Sequence, residues 1–268
     1  MNSLALDFET SLRLSVFFSV FLFMAMLEIL IPRRKLSVSK TRRWLSNISI
    51  SFLNTMLARI AIPLAGAGAA LLAQERNWGL LNHFDVPGWL GVALFLLLFD
   101  LTIYFQHRVF HLVPVLWRLH RVHHTDPDYD VTTGNRFHPF SILLSSVIKL
   151  SLILTIGPLV ISVVIAEVLL NATAMFNHSN IRIPARFDKY LRLFVVTPDM
   201  HRIHHSVDAA EHNRNFGFNF PWWDRLFGTY LDQAKTEQQT MDIGIEGFEG
   251  SSGYSVSKLI IQPLRNPK

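Results

Sequence analysis

FSILLSSVIKLSLILTIGPLVISVVIAEVLLNATAMF, residues 140–176, is an apolar run about twice as long as one bilayer crossing requires. Gly157-Pro158 falls in its middle, and Gly-Pro is a strong turn signal. The stretch therefore reads as two helices forming a hairpin that enters the membrane and comes back. A single crossing would separate what lies before residue 140 from what lies after 176. A hairpin returns both to one side. Working outward, histidines crowd both flanks: His107-Arg-Val-Phe-His111 and His120-Arg-Val-His123-His124 before it, His201-Arg-Ile-His204-His205 after it. Eight of the chain's 12 histidines lie in these three clusters. Residues three or four apart share a helix face, so each cluster can aim imidazoles at one point. Eight exceed what a single ion takes, which predicts a centre with more than one metal.

The rest of the chain fits a membrane protein. Of its 268 residues, 50% are hydrophobic and 17% charged, against about a quarter charged in soluble domains. There is no cysteine, which excludes disulfides, thiolate zinc sites, iron–sulfur clusters and Cys nucleophiles. The net charge of +5 comes from basic residues beside apolar runs, so no nucleic-acid partner is expected. Leu14 to Ile31 is long enough to span, and Asp7 and Glu9 before it argue against a cleaved signal peptide. Arg33, Arg34, Lys35, Lys40, Arg42 and Arg43 follow; the positive-inside rule makes this loop cytoplasmic. A second span covers Trp44 to Ala73 with a kink at Pro63, and a third covers Trp89 to Phe105. The expectation is an all-α integral membrane protein: a bundle of transmembrane helices with a cytosolic histidine-rich helical cap. It reads as one domain, 1–268, with membrane spans in 1–93, a catalytic region in 94–230 and a C-terminal tail in 231–268.

Other polar residues stand out by position. Asp100 lies within the third span on the stripe of Tyr104, His107 and His111, where a carboxylate needs a role such as hydrogen-bonding a ligand histidine. Glu167, Asn171 and His178 share one face of the hairpin's second helix. His138 enters the hairpin from the cytoplasmic side. His83, in an outer loop, and His212 are read as incidental. Pro114 and Thr197-Pro198-Asp199 are helix-start signals, which places the second and third clusters near helix starts. Imidazole suits Fe, Cu, Zn and Ni alike. A site at the mouth of an apolar bundle meets lipid chains, and oxidising their C–H bonds calls for a redox metal and O2; that favours two irons over zinc.

Taken in order, HRVFH, HRVHH, RFHP, FNHSN, HRIHH and NRNFGFNFPWWDRLFGTY, from about Leu94 to Tyr230, resemble the fatty acid hydroxylase / sterol desaturase superfamily of membrane di-iron enzymes. The resemblance implies two Fe ions and O2-dependent hydroxylation or desaturation of a lipid. It implies as ligands His107, His111, His120, His123, His124, His201, His204 and His205, with His138 and His178 as the family's further histidines. It gives Asn215, Gly217 and Trp223-Asp224 a structural or ligand-supporting role. Ser141 stands where the family usually has an acid. No haem-binding segment is recognisable, so a separate electron donor is expected: a reductase, cytochrome or ferredoxin. Within the superfamily, an ether-lipid or carotenoid monooxygenase is the alternative. A histidine-rich membrane metal transporter is the alternative of another class, although the clusters lie outside the apolar runs. A zinc hydrolase lacks its H-E-x-x-H. The expected location is a bacterial inner membrane, with the site on the cytoplasmic side.

Overall fold

A computed structural model describes residues 3–64, 66–248 and 254–266. Twelve α-helices are found among them, and no β-sheet. Five stretches are long and apolar enough to cross a membrane: Glu9–Leu30, Lys40–Asn82, Gly88–Leu112, Pro139–Ile156 and Val160–Asn177. They correspond to helix α1 (Ser3–Leu30), the pair α2 (Lys40–Ala61) and α3 (Gly66–Glu75), α4 (Gly88–Leu112), α6 (Pro139–Ile156) and α7 (Val160–Asn177), with α5 (Pro114–His124) following α4. The second span differs from expectation. Pro63 does not kink one helix; it ends α2, because a residue before proline is pushed out of the helical region, and Ile62 takes φ −133°, ψ 77°. Helix α3 then starts anew and completes the crossing.

The hairpin of α6 and α7 organises the bundle. Gly157 caps α6 in the left-handed region (φ 66°, ψ 50°), which favours glycine. A side chain there would also come within 2.4 Å of the Trp78 carbonyl oxygen. Helix α7 is central, packing on α1, α3 and α4, while α6 packs on α2 and α3. Ala69, Ala70, Phe95, Phe99, Ile153 and Val163 form the buried core between these helices. The alanines let backbones approach closely, as in other membrane bundles.

The opposite end of the bundle carries the cap. Helices α8 (Ala185–Leu191), α9 (Pro198–His204), α10 (Ala209–His212) and α11 (Trp222–Leu226) lie there. The basic 33–43 segment belongs to the same end. Arg33 pairs with Asp199 at 2.9 Å, and Asp128 accepts the Ser37 and Val38 amides. Arg43 is fully buried and bridges Asp126 and Asp130, each at 2.6 Å. Burial alone would raise the Asp126 pKa, but the Arg43 guanidinium prevails and holds it at about 2. The region read as a C-terminal tail folds back. Helix α12 (Val256–Ile261) sets Leu259 against Ile50 and Val122, Arg121 donates to the Gln262 carbonyl, and Gln262 donates to Thr125.

Removing one member of a buried ion pair strands the other, at about 3–5 kcal/mol. Arg43→Met, which leaves Asp126 and Asp130 unmatched, is expected to lower stability by about that amount in denaturant unfolding of the purified protein. A loss under about 1 kcal/mol, the scale of an exposed pair, would contradict the arrangement.

Candidate metal centre

Three prolines shape the histidine end. Pro114 forces Val113 into the extended region (φ −94°, ψ 116°), ending α4 and starting α5 at a new angle. Helix α5 thereby folds back on α4, and His111 Nε2 comes to 3.1 Å from His124 Nε2. Pro139 starts α6. Pro198 starts α9, where Thr197 caps the helix by accepting the Met200 amide, as its sequence signals. The histidines, however, do not lie at helix starts. His120, His123 and His124 close α5, His204 ends α9 with His205 as its C-cap, His178 is the C-cap of α7, and His107 and His111 lie in the last two turns of α4. Four helix C-termini converge there, and the negative end of each helix dipole faces the histidines.

Nine histidines sort into two groups. His107, His111, His120, His124 and His204 each bring one ring nitrogen within 4.8 Å of the others, and so do His123, His178, His201 and His205. Each H-x2-H-H motif is divided. His120 and His124 join the first group and His123 the second; His201 and His205 join the second and His204 the first. Helix geometry explains this, because side chains four apart nearly eclipse while adjacent ones diverge by about 100°. No carboxylate belongs to either group among the described residues.

Backbone carbonyls set the ring orientations. His107 Nδ1 bonds the Phe216 carbonyl at 2.9 Å, His204 Nδ1 that of Arg214 at 2.8 Å, and His178 Nδ1 that of Ala174 at 2.8 Å. A carbonyl only accepts, so each Nδ1 carries the proton and each Nε2 turns a lone pair inward. Among the described residues, the Nε2 atoms of His107 and His204 are buried with no hydrogen-bond partner, as are both ring nitrogens of His120 and His205. His178 Nε2 stands 3.1 Å from His123 Nε2 and 3.2 Å from His201 Nε2. Buried polar atoms are normally satisfied. Orphaned, mutually directed nitrogens are what cation ligands look like, so the donor set fits metal ions. Burial, reinforced by neighbouring rings, holds His120, His123, His124, His201, His204 and His205 well below the usual imidazole range, and His178 at about 3. They are neutral at pH 7, as ligation requires.

The remaining sequence candidates lie elsewhere. His138 joins neither group. It caps α6, its Nδ1 accepting the Phe140 amide at 3.2 Å while Nε2 bonds the Ile260 carbonyl at 3.1 Å. Asp100 touches no histidine: its carboxylate accepts the Asn219 and Phe220 amides and the Trp223 indole N–H. Glu167 pairs with Arg13, and the Asn171 amide donates to the Glu167 carbonyl, so neither reaches His178. Asn215, at φ 53°, ties the Met200 and Leu231 carbonyls together. His212 stacks on Trp117, 6.1 Å ring-to-ring from His111. In the sequence, Asp224 stands out only as part of a motif. Its carboxylate accepts the Phe216 and Gly217 amides, fixing the peptide whose carbonyl orients His107. A Cβ on Gly217 would meet that carboxylate at 2.6 Å. Below the histidines a cavity of about 530 Å³ opens between α2, α4, α6 and α7. His107, His120, His123 and His201 line one end, and Ile103, Phe110, Ile153 and Leu170 are among its apolar walls.

The fatty acid hydroxylase family model matches residues 92–229, more than half of the chain and all nine grouped histidines. The chain belongs to the fatty acid hydroxylase family. It is 29% identical over 242 residues to the ornithine lipid hydroxylase OlsE of Rhizobium tropici, covering 87% of this chain and 70% of that protein. It is 30% identical over 167 residues to human alkylglycerol monooxygenase, covering 60% of this chain and 35% of that one. The fatty acid hydroxylase vlmA of a Lecanicillium species is 27% identical over 230 residues, covering 80% of this chain and 60% of that protein. No solved structure matches. Family and relatives identify an oxygen-using oxidoreductase, and the five apolar crossings make it a multi-pass membrane protein.

Two outcomes follow from this geometry. His123→Ala is expected to lose bound metal, whereas His138→Ala keeps it and costs only a helix cap, about 1 kcal/mol; metal analysis of both purified variants separates the roles. Equal metal loss in both would contradict the grouping. The second concerns pH. Unfolded histidines take up protons below about pH 6.5, while these buried rings resist protonation. The unfolded state then binds more protons, so stability is fully present above about pH 6.5 and falls in acid. The melting temperature of the metal-free protein should drop between pH 7 and pH 5; a flat profile would show that the rings are not held neutral.

Proposed function

We propose that the protein is a di-iron monooxygenase that hydroxylates a membrane lipid, with desaturation as the alternative outcome of the same hydrogen abstraction. The observation that carries this reading is the pair of buried all-imidazole groups, with no carboxylate in either among the described residues, at the end of a cavity between membrane helices. Two redox ions held by the five- and four-histidine groups would supply electrons and O2 activation, which zinc cannot. The chain's own part is to orient and to exclude. The Phe216, Arg214 and Ala174 carbonyls fix the tautomers of His107, His204 and His178. The Asp224 clamp keeps the Phe216 peptide in place. Apolar walls from Ile103, Phe110 and Leu170 suit an alkyl segment and keep competing water away.

Hydroxylation consumes one O2, two electrons and two protons, and returns one oxygen to the lipid and one to water. A separate reductase, cytochrome or ferredoxin is the proposed donor. The bonding of the 33–43 basic segment to the cap, together with the positive-inside rule, supports a cytoplasmic site. A bacterial inner membrane suits the similarity to the Rhizobium hydroxylase. An ether lipid is the second substrate reading, supported by the likeness to alkylglycerol monooxygenase.

Lipid extracts from cells with and without the gene, compared by mass spectrometry, test the proposal. A product one oxygen heavier than an accumulating precursor is the expected result, together with about two irons per chain in the purified protein. A product two hydrogens lighter assigns desaturation. An unchanged lipid profile with altered cellular metal content would overturn the oxygenase reading in favour of metal transport.

A further inference from the structure

The cavity's two long walls differ in charge. One, from α4 and α7, sets Ile103, Phe110, Leu170 and Ala174 beside Gln106, Glu167 and Asn171. The other is built from α2 and α6, where Asn54, Thr55 and Arg59 line one helix face and Ser141, Ser145 and Lys149 another, the last three at i, i+4 and i+8. Both helices start at the cap, so these faces run in parallel away from the histidines. Asn54 marks the histidine end: it donates to the Phe137 carbonyl at 2.9 Å, and the Phe137 ring stacks on His123 at 4.4 Å. Asn54 Oδ1 and Ser141 Oγ are buried with no hydrogen-bond partner among the described residues. Lys149 lies eight residues past Ser141, about 12 Å further along the helix, and Arg59 lies five past Asn54, about 8 Å.

Charges inside a membrane-spanning bundle are costly and mark function. The acid lining this cavity, Glu167, is matched by Arg13, which also pairs with Glu9. Arg59 and Lys149 have neither an ion pair nor a hydrogen bond among the described residues. Two unmatched cations, the half-buried Lys149 and the exposed Arg59, line one cavity beyond the unmatched Asn54, Gln106 and Ser141 groups and the histidines.

We propose that Arg59 and Lys149 hold the anionic group of an amphiphilic substrate inside the cavity. Asn54 and Ser141 take a polar linkage nearer the histidines, and the C–H bond being oxidised lies on the order of a dozen ångströms from the negative charge. The anchored headgroup then fixes how far along the chain the chemistry falls. A phosphate and a carboxylate both satisfy the two cations. This assignment rests on the lipid-oxidation reading for why an amphiphile enters, but its test needs neither metal nor turnover.

The test is equilibrium binding of radiolabelled dodecyl phosphate, dodecanoate and dodecanol to the metal-free full chain in phosphatidylcholine nanodiscs, with protein-free nanodiscs subtracted. The anions are expected to bind at least about tenfold more tightly than dodecanol. Lys149→Met and Arg59→Met should each remove most of that preference, while Lys149→Arg keeps it. Unchanged dodecanol binding shows that the variants are folded. Tighter phosphate binding points to a phospholipid-type head, and tighter carboxylate binding to a fatty-acid-type one. Dodecanol bound as well as the anions by the unmodified protein overturns the proposal, and so does a preference that survives both methionine variants. An anion preference in a protein that oxidises no lipid overturns the oxygenase reading and leaves this one standing.

Discussion

Nine imidazoles confined to a dry space cannot all be protonated, because like charges at these separations repel strongly where no water screens them. They also make poor neutral neighbours, since the inward nitrogens of His107, His120, His204 and His205 are buried without a hydrogen-bond partner among the described residues. The arrangement suits cations, and the rest of the fold serves it. Neither group holds a carboxylate among the described residues, so other features must offset the charge of any ions bound there. Four helices, α4, α5, α7 and α9, end at the site, and their C-terminal dipoles contribute partial negative charge there. The carbonyls of Phe216, Arg214 and Ala174 add further negative ends, each committed to one ring.

This division of labour explains the conspicuous residues that bind nothing in the centre. Asp100 and Tyr104 stitch α4 to the 215–229 segment, Asp100 through the Asn219, Phe220 and Trp223 N–H groups and Tyr104 through the Thr229 hydroxyl, while Asp224 ties that segment together from within through Phe216, Gly217 and Thr229. The seam is indirect. A carboxylate holds a peptide, and the peptide's carbonyl holds a ring. On the other side, Arg43 with Asp126 and Asp130 anchors α2 to the turn following α5.

Much of this was legible from residue spacing. The Gly157-Pro158 hairpin, the bundle-and-cap architecture and the capping of α9 by Thr197 all follow from local rules that tertiary contacts did not override. The division of each H-x2-H-H motif between two groups was also implicit in 100° per residue, and is easily missed when a cluster is taken as one unit. Other features were not legible. A histidine before proline that caps a helix, as His138 does, looks the same in sequence as one that ligates. Shared stripes put Glu167 and Asn171 in line with His178, but stripe membership says nothing of depth, and eleven residues of helix separate Glu167 from His178 by about 16 Å. The Asp126–Asp130 partners of Arg43 lie more than eighty residues away in the chain, beyond any local signal.

The uneven split of the histidines also sets an order in time. When residue 124 has been synthesised, four of the five donors of the first group exist, His107, His111, His120 and His124, while the second group has only His123. His201, His204 and His205 follow some eighty residues later, about 4–16 s at ordinary rates of synthesis, after the α6–α7 hairpin has been made. The break at Pro114 that folds α5 onto α4 is local, so the first group nears completion on a nascent chain and the second only on a finished bundle. Most of the first group is thus made long before the second, although His204 and His205 complete the two groups together.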